Sequence, residues 1–174
     1  MIQVDSKEKK AWLRFLARHV DYNLCILVLW ISLGFMPNIR ENLPPLTSVL
    51  IPGLVWVIPE SLFITAMGTT PGKAVLGISV YQPDGKKLPG WKSFSRSVGV
   101  WMNGMGMQLP VVSLLCNLFA YVSLTKHGST TWDANGNVNI VYDPVDFSSL
   151  VICIAFVILV PFVGILIMPH PFLI

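Results

Sequence analysis

Two acidic residues sit where acids are costly, and their surroundings suggest what they could do. Arg14, Ala17, Arg18 and Asp21 stand at i, i+3, i+4 and i+7, the spacing of one helix face, and residues 22–39 that follow carry no charge. A carboxylate at the mouth of an apolar segment faces the protein interior or a wet cavity and takes a partner. The pattern admits an Arg18–Asp21 pair that anchors the helix end, or one wall of a polar pocket. Glu60 is the second signal. No Lys or Arg lies within ten residues on either side of it, and it follows Pro59. Proline frees the carbonyl about four residues back, near Val55, and Pro52 perturbs the same segment. An acid beside a broken backbone is how membrane proteins build cation and proton sites; a carboxyl that is protonated, or paired with Arg18 or Arg96 to hold helices together, is the structural alternative.

Other familiar chemistries lack their residues. GTTPGKAVLG (68–77) carries Gly68, Gly72, Lys73 and Gly77, but a phosphate loop needs four residues between its glycines and Ser or Thr after the lysine. Here there are three and then Ala74, so a tight glycine turn from helix to strand is expected. His19, His127 and His170 have no ligand spacing, and neither H-E-x-x-H nor G-x-S-x-G occurs. Cys25, Cys116 and Cys153 each stand alone in a different apolar block, as small hydrophobes do. The reading is of no enzyme, no cofactor and no bound metal.

The elements that must position these residues follow from where charge is missing. Only 12% of the 174 residues are charged and 53% are hydrophobic, with mean hydropathy +0.65, against about 25% charged in ordinary soluble domains. Charge-free stretches run from Arg96 to Lys126 and from Asp146 to the end, with shorter ones at 22–39 and 42–59. Blocks of about 17–25 apolar residues span a bilayer, and four of them leave no room for a soluble domain. Residues 1–174 are therefore expected to form a single integral membrane domain, an all-α bundle of about four hydrophobic segments, with an uncleaved first span.

Basic residues stay on the cytoplasmic side. Residues 1–18 hold five basic and two acidic groups, residues 73–96 five basic groups against Asp84, and the connector around Arg40 and Glu41 is neutral. This sends span 1 (about 20–36) outward from a cytoplasmic N-terminus and span 2 (about 46–67) back. The basic connector with Trp91 suits anionic headgroups better than nucleic acid. As one helix, residues 97–125 would measure about 43 Å, too long for a core of about 30 Å, and their middle reads NGMGMQLP (103–110). A broken helical hairpin returning to the cytoplasmic side is favoured over a tilted single helix, and the last span (about 147–168) then ends outside. LGISVYQ (76–82) alternates and meets Pro83-Asp84-Gly85, a strand entering a hairpin; VNIVY (138–142) reads as a strand whose most economical partner is LGISVYQ. Asp143 and Asp146 beside Pro144 are expected to form a solvated turn.

These residues carry a family resemblance. RFLARHVDYNL (14–24) resembles the R-x-x-A-x-x-x-D signature of the RDD family of membrane proteins, and GTTPGKAVLGISVYQPDGKKL (68–88) its G-x-T-x-G-K-x-x-x-G-x-x-V segment. Arg96 and the stretch to 124 are similar to its third helical region, and Trp132-Asp133 to the position of its last aspartate. The resemblance covers about residues 11–142 and places the family's arginine on Arg14 and its aspartates on Asp21 and Asp133. After Asp133 the chain reads Ala134-Asn135-Gly136-Asn137 where members often read x-x-A-G-T. The resemblance implies a bacterial inner-membrane setting and lends weight to transport of ions or small ligands.

Two functions of different kind follow as expectations. One is movement of protons, monovalent cations or a small ligand through a polar cluster of Arg14, Arg18, Asp21, Glu60, Arg96 and Asp133. The other is a non-catalytic accessory or assembly subunit of a larger membrane complex. Expected partners are the lipid bilayer and a homo-oligomer or larger assembly. The placing of Asp133 beside Arg14 and Asp21, or across the membrane from them, separates a shared site from three unrelated structural devices.

Overall fold

Ser6 opens the first helix, its hydroxyl accepting from Lys9 N at 3.2 Å, which satisfies one of the donors a helix start leaves free. In the computed structural model this helix, α1, runs Lys7–Gly34, so the basic stretch and the first span are one continuous element. The structure describes residues 2, 4, 6–35 and 44–167. Met36, Met168, His170 and the connector at Arg40 and Glu41 lie outside them. α2, Pro45–Met67, begins with proline at its first position and keeps helical form through Pro52 and Pro59. A short α3, Pro71–Val75, leads to strand β1, Ile78–Tyr81.

The next apolar block is broken, as its glycines and proline imply. α4, Gly90–Gly99, passes into a π turn over Val100–Gly104 and a 3-10 turn over Gly106–Gln108, and α5, Pro110–His127, follows. Gly106, Met107 and Gln108 are all left-handed, at φ 56, 52 and 66°. A Cβ at Gly106 would come within 2.5 Å of Ser113 N, so only glycine fits where α5 doubles back. Cys116 Sγ reaches Met102 O at 3.8 Å and Lys7 Nζ reaches Lys126 O at 3.4 Å. The block thus folds as a helical hairpin whose far end meets the start of α1. Among the described residues three helices are long and apolar enough to cross a membrane: Lys7–Leu33, Leu50–Met67 and Phe147–Gly164. The hairpin is not a fourth.

After α5 come a second short helix, α6 (Thr131–Asn135), strand β2 (Asn139–Tyr142) and the last helix, α7 (Phe147–Ile167). β1 and β2 pair antiparallel, Ile78 opposite Tyr142 and Tyr81 opposite Asn139, as their alternation suggested. The turn after β1 forms, with Gly85 N donating to Gln82 O at 2.9 Å, but no returning strand follows it; the pairing capacity of β1 is taken by β2. Nor is the segment at Asp143 a free turn. Asp143 N donates to Gly77 O at 2.8 Å, Val145 pairs with Ile2, and Val145 is buried, although both acids stay exposed.

The two routes into the sheet repeat one another. α2 ends at Gly68 (φ 75°) and α5 at Gly128 (φ 77°). In each case a Gly-x-Thr turn then enters a five-residue helix that leads to a strand. Gly128, Thr130, Asp133 and Ala134 stand 60 positions after Gly68, Thr70, Lys73 and Ala74. The chain therefore builds a helix, turn, short helix and strand twice, and pairs the two copies through the sheet. Their third helical positions hold opposite charges, Lys73 and Asp133, both buried.

Candidate functional site

The site lies beneath the sheet, between the two short helices. Thr130 precedes α6 and donates through Oγ1 to Asp133 Oδ2 at 2.7 Å, fixing the carboxylate from its own turn. Arg96 on α4 donates through Nε to Asp133 Oδ1 at 2.8 Å, and Arg14 on α1 through Nη1 to Oδ2 at 2.8 Å. Arg14 Nε donates to Tyr142 Oη. One carboxylate thus ties α1, α4 and α6 together, and Tyr142 links β2 to the same arginine. Loss of water disfavours the ionised Asp133, but Arg96 and Arg14 outweigh this and hold its carboxyl below the ordinary value of 3.8.

The copy around α3 is wired with charges reversed. Lys73 Nζ donates to Glu60 Oε1 at 2.6 Å, and Arg96 Nη1 lies 3.6 Å from the same oxygen. Arg96 therefore joins the two acids. Glu60 Oε2 is buried without a hydrogen-bond partner, as is Arg96 Nη1. Asp21 is held by the start of α3: Thr70, just before the helix, donates through Oγ1 at 2.5 Å and Gly72, in its first turn, through its backbone N at 2.7 Å.

That capture accounts for the absent Arg18–Asp21 pair. Gly72 has no Cβ, and one built there would stand 2.5 Å from Ala17 O and 3.0 Å from Asp21 Oδ1. The turn can therefore press directly onto α1 and take the carboxylate. Gly72→Ala should destabilise the protein by about 1–3 kcal/mol, the usual cost of overpacking against backbone, read as a lower melting temperature in detergent. Arg18 instead donates through Nη1 to Gly104 O at 3.1 Å and lies over the Trp132 ring at 5.4 Å. Gly104 ends the π turn, a distortion that recurs at functional sites.

The structure thus unites five of the six residues singled out from sequence. Arg14, Arg18, Glu60, Arg96 and Asp133, with Lys73, line one cavity of about 20 Å³ under Ile78, Val80 and Ile140 of the sheet. Asp21 stands apart from this cavity but next to Lys73 in the chain contact it makes. Asp133 lies beside Arg14, not across the fold from it. Asp21 and Glu60 also share a larger cleft of about 430 Å³ between α1 and α2, lined mainly by apolar side chains such as Leu24, Val28, Trp56 and Phe63. Lys73, Thr70, Thr130 and Tyr142 were not anticipated. Lys73 is 13 residues from Glu60 and on the next helix, and its place 60 residues before Asp133 is the sequence signal that marks it. Among the described residues no group of three or more His, Cys, Asp or Glu could hold a metal.

Apolar helices of spanning length around a buried charge cluster define a protein of membrane type. The RDD family model matches residues 9–169, so the chain belongs to the RDD family, and the match takes in α7 as well as the signature segments. No curated protein and no solved structure matches the chain.

Proposed function

We propose that this RDD-family protein moves a proton or a monovalent cation across a bacterial inner membrane, with Glu60 as the carrying group and Asp21 beside it in the same cleft. One observation carries this reading. Glu60 borders both the apolar cleft and the charged cavity, one oxygen held by Lys73 and Arg96 and the rest of the carboxylate buried with only the Ser97 hydroxyl beside it. A membrane-embedded carboxylate with open acceptor capacity is a site where an ion can be taken up and released. The charge bias of the loops favours a cytoplasmic N-terminus, a hairpin that dips in and returns, and α7 ending outside.

The test is flux. Purified protein in liposomes should dissipate an imposed pH or cation gradient faster than protein-free vesicles, and Asp21→Asn and Glu60→Gln should each abolish this while the protein stays folded by thermal unfolding. Flux no faster than in empty vesicles, or undiminished in both variants, contradicts the proposal. A second reading, an accessory subunit of a larger membrane complex or a homo-oligomer, draws on α7. Only 11% of its spanning window is buried, with Ile152, Ile158, Leu159 and Phe162 outward, a surface suited equally to lipid and to a partner helix.

A further inference from the structure

Glu60 faces two surroundings, and neither suits an alkali cation. Towards α1 it borders the cleft of about 430 Å³, whose walls are mostly apolar side chains such as Leu24, Val28, Val55 and Phe63. A protonated carboxyl is neutral and can lie against such walls, whereas a bound metal cation needs several oxygens in place of its water. Membrane proteins supply those oxygens from unwound helices, but α2 keeps helical form past Glu60. On the other side lies the cavity of about 20 Å³, room for one water, since about 10–15 Å³ suffices for that. Its second carboxylate, Asp133, is already bonded to Arg14 and Arg96. Lys73 Nζ, 2.6 Å from Glu60 Oε1, stands where a metal ion would coordinate.

The remaining polar atoms near Glu60 suit a proton. Ser97 on α4 is fully buried, with its hydroxyl beside the carboxylate. Ser93, one turn nearer the start of α4, is equally buried, and neither hydroxyl is committed to another hydrogen bond. At i and i+4 the two share one helix face, and α4 packs along α2, which carries Glu60. Lys86 and Lys87, just before α4, are exposed, so the serines lead from the charged end of the helix inward. A serine hydroxyl both donates and accepts, and can therefore take a proton on one side while giving one up on the other.

We infer that the ion carried at Glu60 is the proton and not an alkali cation, and that it reaches the carboxylate through the hydroxyls of Ser93 and Ser97. Ser97 gives its proton to Glu60 and takes one from the Ser93 side, so each hydroxyl is neutral before and after and only the carboxylate changes charge. The inference rests on Glu60 as the carrying group, and adds which ion it carries and by which route that ion arrives.

The test uses full-length protein in liposomes that hold a pH-sensitive dye, with potassium and valinomycin on both sides to clamp the voltage. An acid pulse should acidify these vesicles faster than empty ones, at a rate that does not change when external sodium is replaced by N-methylglucamine. Uptake of radioactive sodium and rubidium, measured without valinomycin, should match that of empty vesicles. Ser97→Ala should slow acidification by about a hundredfold, the scale of a lost proton-transfer group. Ser97→Thr keeps the hydroxyl and should restore the rate, while both variants melt with the parent. Sodium or rubidium uptake that is lost in Glu60→Gln, or acidification that requires sodium, would overturn the inference and leave Glu60 standing as a carrier. Absence of flux for all three ions would contradict the carrier reading itself. Acidification at the parental rate in Ser97→Ala would overturn the serine route.

Discussion

Replacing Asp133 by asparagine should cost the protein about 3–5 kcal/mol, the penalty for removing one partner of a buried ion pair and stranding the other. Two arginines are stranded here. Arg14 and Arg96 each donate to Asp133 at 2.8 Å, and the amide that replaces the carboxylate presents an N–H₂ group to one of them. The same carboxylate fastens α1, α4 and α6, so the loss falls on the assembly of the bundle and not on one helix. Thermal unfolding in detergent measures it, and a variant that melts within a degree of the parent contradicts the role. The sign of the pH dependence follows. Because the folded-state value lies below 3.8, the contribution of Asp133 is fully present above that value and is lost as pH falls beneath it. The Asp133→Asn protein should lack that part of the acid transition.

The Glu60–Lys73 pair should behave as a coupled unit. Glu60→Gln strands Lys73 and leaves Arg96 with one acid; Lys73→Met leaves Glu60 with Arg96 at 3.6 Å alone. Each single change should cost about 3–5 kcal/mol. The double variant removes both charges, and replacing a buried ion pair by uncharged groups of similar volume is often neutral. It should therefore cost no more than about 2 kcal/mol, so that the double-mutant cycle returns an interaction energy of at least about 4 kcal/mol. Strict additivity of the two single effects would show that the 2.6 Å contact contributes nothing of its own.

Much of this arrangement is legible in the sequence, and what is not has a physical cause. The i, i+3, i+4, i+7 spacing places Arg14, Ala17, Arg18 and Asp21 on the inward face of α1, and all but Arg14 are buried. The glycines and proline of 103–110 mark the reversal, and the alternation of two short segments marks the sheet. Helical periodicity says which residues share a face but not what approaches that face. Spacing permits Arg18 to pair with Asp21; the approach of Gly72 to within reach of Asp21 decides otherwise. The sequence reads Lys73 as part of a glycine turn; it stands instead within the short helix α3, where its charge meets Glu60 of the preceding helix. The 60-residue echo is faint in the sequence because only a few positions keep their residue type, and its two charged positions have opposite sign.

Buried ion pairs also hold helices together without carrying anything, so the central claim rests on separating Glu60 the strut from Glu60 the carrier. The Glu60→Gln/Lys73→Met double variant does this, because its charge balance is restored and it folds. Its flux in liposomes, measured beside the unaltered protein under the same imposed gradient, is the decisive quantity. The carrier account predicts a stable protein with no flux above empty vesicles; a stable double variant that moves ions at the parental rate would contradict it.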